Sequence, residues 1–234
     1  FLLQIILIEL ANMQRKRGSV AGNPGASVTF DPPSRIKAKN SDLNAERDLN
    51  NYSEFEKSRL KFPVKVPAVL AGKFALKKGE KTSAVKNVEE IQTLFPKLFG
   101  QETIEFVSGD DVVEHVVHQP LNIGCVLSGG QAAGGHNCIV GIYDYVQQKS
   151  PGSKIFGFIG GPMGVMKNRH RILDADFVDK YRNTGGFDML TAGRDKIESP
   201  ENFEMARNTA VTNNLDGLVV IGGDDSNTNA ALIG

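Results

Sequence analysis

Only two cysteines and four histidines occur in the 234 residues. A disulfide framework is therefore not expected. Cys125 falls in an apolar strand-like run and Cys138 at the start of a helical stretch, so both are expected as buried thiols of a reducing compartment, which favours the cytosol. His115 and His118 stand three apart beside Glu114, but no further cysteine or histidine joins them and a turn is expected there. Charge of one sign is also lacking. Lys and Arg together number 27, as do Asp and Glu, so neither a basic field for nucleic acid nor an acidic solvating tail is present. A small-molecule partner is the better expectation.

Long apolar runs are missing as well. Phe1 to Leu10 is interrupted by Gln4 and Glu9 and falls short of the roughly 20 residues a membrane-spanning helix needs. Arg15, Lys16 and Arg17 follow that run, whereas a secretory signal places its positive charges first, so no targeting role is assigned. The first residue is not methionine, which suggests an incomplete or processed start. Residues 1–50 contain Asn23-Pro24-Gly25 and Asp31-Pro32-Pro33 with little periodicity and are expected as a flexible leader. Residues 51–120 read as an N-terminal helical extension. In it, Asn87 and Glu90 resemble a capping pair, with Val88, Ile91 and Phe95 on one face before Pro96 ends the helix.

Residues 121–234 carry the clearest pattern. Leu218-Val219-Val220-Ile221 reads as a buried strand and runs directly into Gly222-Gly223-Asp224-Asp225-Ser226. Such glycines let backbone N–H groups approach an anionic oxygen, a carboxylate there suits a hard cation such as Mg²⁺, and Ser226 is expected to cap the following helix. A second unit has the same plan. Ile123 to Leu127 leads into Ser128-Gly129-Gly130-Gln131-Ala132-Ala133-Gly134-Gly135-His136-Asn137, and Ile139, Ile142, Tyr143 and Val146 then recur at helical spacing. His136 and Asn137 are expected to hold that loop and cap its helix. In an open α/β sheet both loops would lie at the carboxyl ends of strands, where ligands bind. The spacing of Gly129, Gly130, Gly134 and Gly135 is not that of the dinucleotide fingerprint, so it gives little support to a redox cofactor.

The alternation continues with strand-like Ile155 to Ile159, and with Ser199-Pro200-Glu201, a cap followed by a first-turn proline. Phe203, Ala206 and Ala210 would face the sheet, and Asp216-Gly217 would turn into the strand at 218–221. The expected fold is α/β, a layered and mainly parallel sheet. No internal repeat beyond the two strand, loop and helix units is visible, and there is no long low-complexity tract.

The glycine loops just quoted, with Phe158-Ile159-Gly160-Gly161-Pro162-Met163-Gly164, Gly185-Gly186-Phe187-Asp188-Met189, Gly193-Arg194-Asp195-Lys196-Ile197-Glu198 and Gly222 to Asn229, together resemble pyrophosphate-dependent phosphofructokinase. The likeness is to the long, plant-type branch and its catalytic β subunit, since the α subunit of that branch lacks the acidic pair. It extends back to about Tyr52-Ser53-Glu54. The resemblance implies a phosphofructokinase-type sheet, incomplete here and preceded by an extension, with 121–234 as the first part of the domain that binds the phosphoryl donor.

Roles follow from the resemblance residue by residue. Gly130 would give its N–H to the phosphoryl donor, Asp224 would bind Mg²⁺, Arg194 would neutralise charge on the group in flight, and Gly129, Asp225 and Ser226 would line the donor site. Asp225 stands where ATP-using relatives typically have glycine, so its bulk and charge would favour pyrophosphate. Ala133 replaces the family's usual proline while leaving every glycine in place. The implied activity is reversible phosphoryl transfer from pyrophosphate to fructose 6-phosphate, in glycolysis and gluconeogenesis, by a cytoplasmic homo- or hetero-oligomer. The lysine that also shapes donor choice, the base toward the sugar hydroxyl and the sugar-phosphate ligands belong to family segments absent from this chain, which is therefore expected to be inactive by itself. An ATP-dependent enzyme of the same branch and a non-catalytic regulatory subunit remain the alternatives, with Asp224-Asp225 weighing against the second.

Overall fold

The computed structural model describes residues 3–6, 52–63, 65, 68, 73–108, 119–130, 133–184 and 186–234. His115 and His118, Gln131 and Ala132 and most of the leader lie outside them.

The centre of the fold is a sheet of six strands whose order is β1, β8, β4, β5, β6, with β7 also paired to β4. Its middle is β4 (Asn122–Ser128), parallel to β5 (Lys154–Phe158), β7 (Ala192–Gly193) and β8 (Gly217–Ile221). The flanks are antiparallel: β6 (His170–Leu173) on β5, and β1 (Leu3–Ile6) on β8. The expected mainly parallel sheet is present at the centre, with mixed edges. Leu3–Ile6 departs from the leader reading, since its backbone joins the sheet with Leu3 opposite Ile221.

Side-chain alternation explains why both faces of this sheet are covered. Ile123, Cys125 and Leu127 point to one side with Val219 and Ile221, and Val126 points to the other with Leu218 and Val220. On the first side packs α3 (Gly135–Lys149), where Ile139 is fully buried and Ile142, Tyr143 and Val146 lie against the core at the helical spacing read from the sequence. α5 (Ala175–Asp179) closes the same side, and Arg182 ties it to α3 through two bonds to Asp144, 2.6 and 2.9 Å, and two to Asp179, 2.9 and 3.2 Å. On the second side pack α4 (Pro162–Met166) and α6 (Pro200–Thr212). Ser199 caps α6 by accepting the N–H of Asn202, as Ser-Pro-Glu suggested, and Ala206 and Ala210 are buried against the sheet. The last helix is α7 (Asp224–Ile233).

The extension is less helical than its composition implied. It holds α1 (Glu54–Leu60), capped by a reciprocal Ser53–Glu56 pair, and α2 (Val88–Leu94), but also an antiparallel pair, β2 (Phe74–Lys81) and β3 (Glu102–Ser108). Lysines and glutamates in that hairpin masked its alternation. Asn87 does not cap α2: its backbone is left-handed, φ 53°, and its side chain bonds Glu90 rather than an N–H. No residue of α2 is fully buried: Val88 is exposed, while Ile91 and, just past the helix, Phe95 are half-buried.

Cys125 is buried, and burial pushes its thiol up to about 12. Cys138 is exposed, contrary to expectation, because it falls on the solvent side of α3 between buried His136 and Ile139. Its pKa is also raised by partial burial, so neither cysteine is primed as a thiolate.

Two glycines make opposite packing predictions. A Cβ on Gly124 would come within 2.8 Å of the Phe158 ring and 2.9 Å of a Leu218 methyl, so Gly124→Ala should destabilise by roughly 1–3 kcal/mol. Gly141 sits exposed in α3 with nothing within 4 Å of its Cβ position, and Gly141→Ala should stabilise by roughly 0.5–1 kcal/mol. Urea midpoints will read both, and a wild-type midpoint for Gly124→Ala would contradict the close packing. His170 predicts a pH effect. Its ring meets Phe156 and Phe158 edge-on at 5.1 and 5.8 Å, and burial lowers its pKa below the ordinary 6.5. The unfolded chain then binds the proton more readily, so this contribution to stability is complete above about pH 6.5 and is lost as pH falls below it. Thermal unfolding between pH 7.5 and 5 should show a slope that His170→Phe reduces.

Candidate active site

Where β5 ends, β7 takes its place beside β4. Val126 pairs with Phe158, but Leu127 and Ser128 pair with Ala192 and Gly193. The exchange depends on close backbone contact. Gly161, φ 72°, lies against Gly193 so tightly that a Cβ would stand 2.2 Å from the Gly193 nitrogen. No side chain fits there. The N–H of Gly129 donates to the Gly193 carbonyl at 2.7 Å, which fixes the first glycine loop against the Gly193-Arg194 segment.

The loop after β8 meets the same place. Between Gly222 and the other loops there is room for a hydrogen only: a Cβ would lie 2.6 Å from the Ser128 carbonyl oxygen and 2.5 Å from Ser226 Oγ. Ser226 itself is buried and its Oγ is 3.6 Å from the Cβ position of Gly129. It does not cap the helix. Gly223 is the N-cap of α7, without a side-chain bond, and Ser226 lies inside the first turn, where it packs between the two glycine loops. Asp224 and Asp225 occupy that first turn and are exposed, where the N-terminal dipole favours negative charge.

Arg194 completes the group. Its guanidinium lies over Gly130, 3.0 Å from the Cβ position, and no carboxylate among the described residues pairs with it. Glu198 instead pairs with Lys196 at 3.4 Å. The Arg194 segment is anchored by a residue that sequence reading had not singled out. Asn229, buried on α7, accepts the Ile197 N–H at 3.1 Å and donates to the Ile197 carbonyl at 2.7 Å. Its place within the Gly222–Asn229 motif was the available signal. Gly129, Gly130, Arg194, Gly222, Asp224, Asp225 and Ser226 are thereby gathered at one sheet edge.

His136 and Asn137 hold this loop without capping it. Gly134, φ 85°, is the N-cap of α3, His136 is buried against Gly186, and Asn137 accepts the Asn183 N–H at 2.9 Å. A cavity of about 310 Å³ lies elsewhere, between the extension at Ile91 and Phe95 and the flank of α7 at Asn227 and Thr228.

The donor set suits one class of cation. Among the described residues no three His, Cys, Asp or Glu side chains gather to hold a metal. Two exposed carboxylates on one helical turn beside free backbone N–H groups fit Mg²⁺, which takes one or two protein carboxylates and draws its other oxygens from phosphates and water.

The chain is similar to known sequences. The family pattern described as Phosphofructokinase matches residues 122–234. The chain is 53% identical over 182 residues to the pyrophosphate–fructose 6-phosphate 1-phosphotransferase subunit beta of Solanum tuberosum, covering 78% of this chain and 32% of that protein. It is 46% identical over 210 residues to subunit beta 1 of that enzyme from Arabidopsis thaliana, covering 90% of this chain and 36% of that protein. It thus spans about a third of the length of the curated relatives it matches. A crystal structure of Pichia pastoris phosphofructokinase in the T-state aligns with a TM-score of 0.40 at 23% identity, over 57% of this chain and 15% of that one. With glycine loops, Arg194 and the acidic pair brought together and the family pattern running through all of them, residues 122–234 match the phosphofructokinase family, and the relatives that this chain resembles are named as β subunits of the pyrophosphate-dependent enzyme.

Proposed function

We propose that this chain forms the donor-binding part of a pyrophosphate–fructose 6-phosphate 1-phosphotransferase. The observation that carries the reading is the meeting of the Gly129-Gly130, Gly193-Arg194 and Gly222–Ser226 segments at the end of β4. Phosphoryl transfer asks a protein chiefly for positioning and charge stabilisation, and these segments supply backbone donors, a cation and carboxylates within one contact network.

In the reaction, the 1-hydroxyl oxygen of fructose 6-phosphate bonds to a phosphorus of pyrophosphate, the bridging P–O bond breaks and orthophosphate leaves. Gly130 N–H faces the donor oxygens, and Arg194, lying over Gly130, neutralises charge on the transferring group. Asp224 would hold Mg²⁺, which would supply charge neutralisation there. The burial of Ser226 keeps the two glycine loops in register. The sugar side, including the base that takes the hydroxyl proton, is assigned to residues outside this chain, in a protein of the relatives' length. Asp225, on the same exposed turn, puts a carboxylate where an inner nucleotide phosphate would need room, which favours pyrophosphate over ATP. The name "subunit beta" of the relatives supports assembly with a second subunit, and the reducing chemistry of two unpaired cysteines supports a cytoplasmic location.

The test uses a full-length protein containing this chain. Purified with Mg²⁺, it should form fructose 1,6-bisphosphate from fructose 6-phosphate with pyrophosphate in preference to ATP. Asp224→Ala should lower turnover by on the order of 10²-fold while circular dichroism stays unchanged, the scale of losing one preorganised charge-stabilising group. Turnover with ATP alone would sink the pyrophosphate reading.

Asp225→Gly should raise the ATP to pyrophosphate ratio of kcat/KM by roughly tenfold or more, since a carboxylate close to a phosphate costs about 1 kcal/mol or more in repulsion. An unchanged ratio would remove Asp225 from donor selection.

A further inference from the structure

The edge that carries these loops has a second guanidinium with no task in the account above. Arg169 lies at the turn between α4 and β6, and its backbone is held on both sides. Its N–H donates to the Gly164 carbonyl at 2.8 Å, and its carbonyl accepts the Ile159 N–H at 2.9 Å. Because β6 runs antiparallel to β5, this turn returns to the end of β5 from which the Gly160-Gly161 loop departs.

The side chain then points at that loop. One Nη of Arg169 is 3.1 Å from the Cβ position of Gly160, a residue with φ 83° whose N–H is bound to the Leu190 carbonyl at 2.9 Å. The Gly160 carbonyl oxygen is in turn 2.6 Å from the Cβ position of Gly193, next to Arg194. The two arginines therefore flank one glycine contact, Arg194 over Gly130 and Arg169 over Gly160. Arg169 is exposed and, among the described residues, no carboxylate pairs with it, whereas Arg182 and Arg207 each form ion pairs.

Charge gives this placement a use. Pyrophosphate remains anionic with one divalent cation bound, and Asp224 and Asp225 add two further negative charges to the same edge. Arg194 offsets only one. A guanidinium presents a planar fork of donors to phosphate oxygens and keeps its charge at any working pH. We infer that Arg169 is a second anion-binding residue of the donor site, holding the phosphate of pyrophosphate that leaves as orthophosphate, while Arg194 attends the phosphate that transfers. The assignment rests on the pyrophosphate reading and adds a residue to it.

Steady-state kinetics in both directions test it in the full-length protein. Arg169→Ala should raise KM for pyrophosphate, and KM for orthophosphate in the reverse reaction, by on the order of 10-fold or more, the scale of one charge-assisted bond. KM for fructose 6-phosphate and for fructose 1,6-bisphosphate should stay within about twofold on the same basis. Arg169→Lys should recover part of the loss, and Arg169→Gln, which keeps a long polar side chain, should not. If Arg169→Ala fails to fold, judged by its thermal transition, the comparison of the Lys and Gln variants decides the matter. Unchanged KM for both pyrophosphate and orthophosphate, or equal loss in all four substrates, would overturn the inference while leaving the pyrophosphate reading intact. Absence of pyrophosphate-driven turnover in the wild-type protein would overturn both.

Discussion

The backbone contact between Gly161 and Gly193 is the constraint on which the candidate site rests. β5 must leave β4 at Phe158 so that β7 can pair with Leu127 and Ser128, and the two chains pass where no Cβ fits. Fill that space and Gly193 moves from the Gly129 N–H and Arg194 leaves Gly130. Gly222 imposes a similar limit on the other side of β4, between the Ser128 carbonyl and Ser226. The site is thus defined by what is left out of it, and its side chains are arranged around backbone that has been brought unusually close.

Placement of charge follows from that backbone. The first turn of α7 presents Asp224 and Asp225 at the positive end of the helix dipole, where carboxylates are stabilised, and the turn is exposed. Arg194 and Arg169 approach from the neighbouring strands. Opposite charges are therefore supplied by different elements of the sheet, and none of them is buried in a pair that would consume it. Asn229 links the two sets, because it joins α7 to the chain just beyond Arg194 through both polar groups of Ile197.

Where sequence reading went astray, the reason was a local rule overridden by packing. Ser226 has the composition of a cap, yet helix α7 begins earlier, at Asp224, and the serine is needed as a small buried wedge between Gly222 and Gly129. Asn87 and Glu90 have the spacing of a capping pair, yet Asn87 enters the left-handed region and bonds Glu90 directly. Cys138 was read as buried from its neighbours, although helical phase turns it outward. Lys77, Lys78, Glu80 and Glu105 hid the hairpin of the extension, since a strand exposed on both faces shows no apolar alternation.

What the sequence by itself determined is the chain of strand, glycine loop and helix, because apolar periodicity and the φ freedom of glycine are local properties that each segment carries alone. It also determined the chemistry available: two adjacent carboxylates after β8, an arginine after β7 and backbone donors after β4. Only the tertiary structure decided which of these meet. The insertion of β7 beside β4, the stacking of Gly222 beneath Ser128 and the return of Arg169 to Gly160 are contacts between residues from about ten to nearly one hundred positions apart, and no periodicity encodes a distance of that kind.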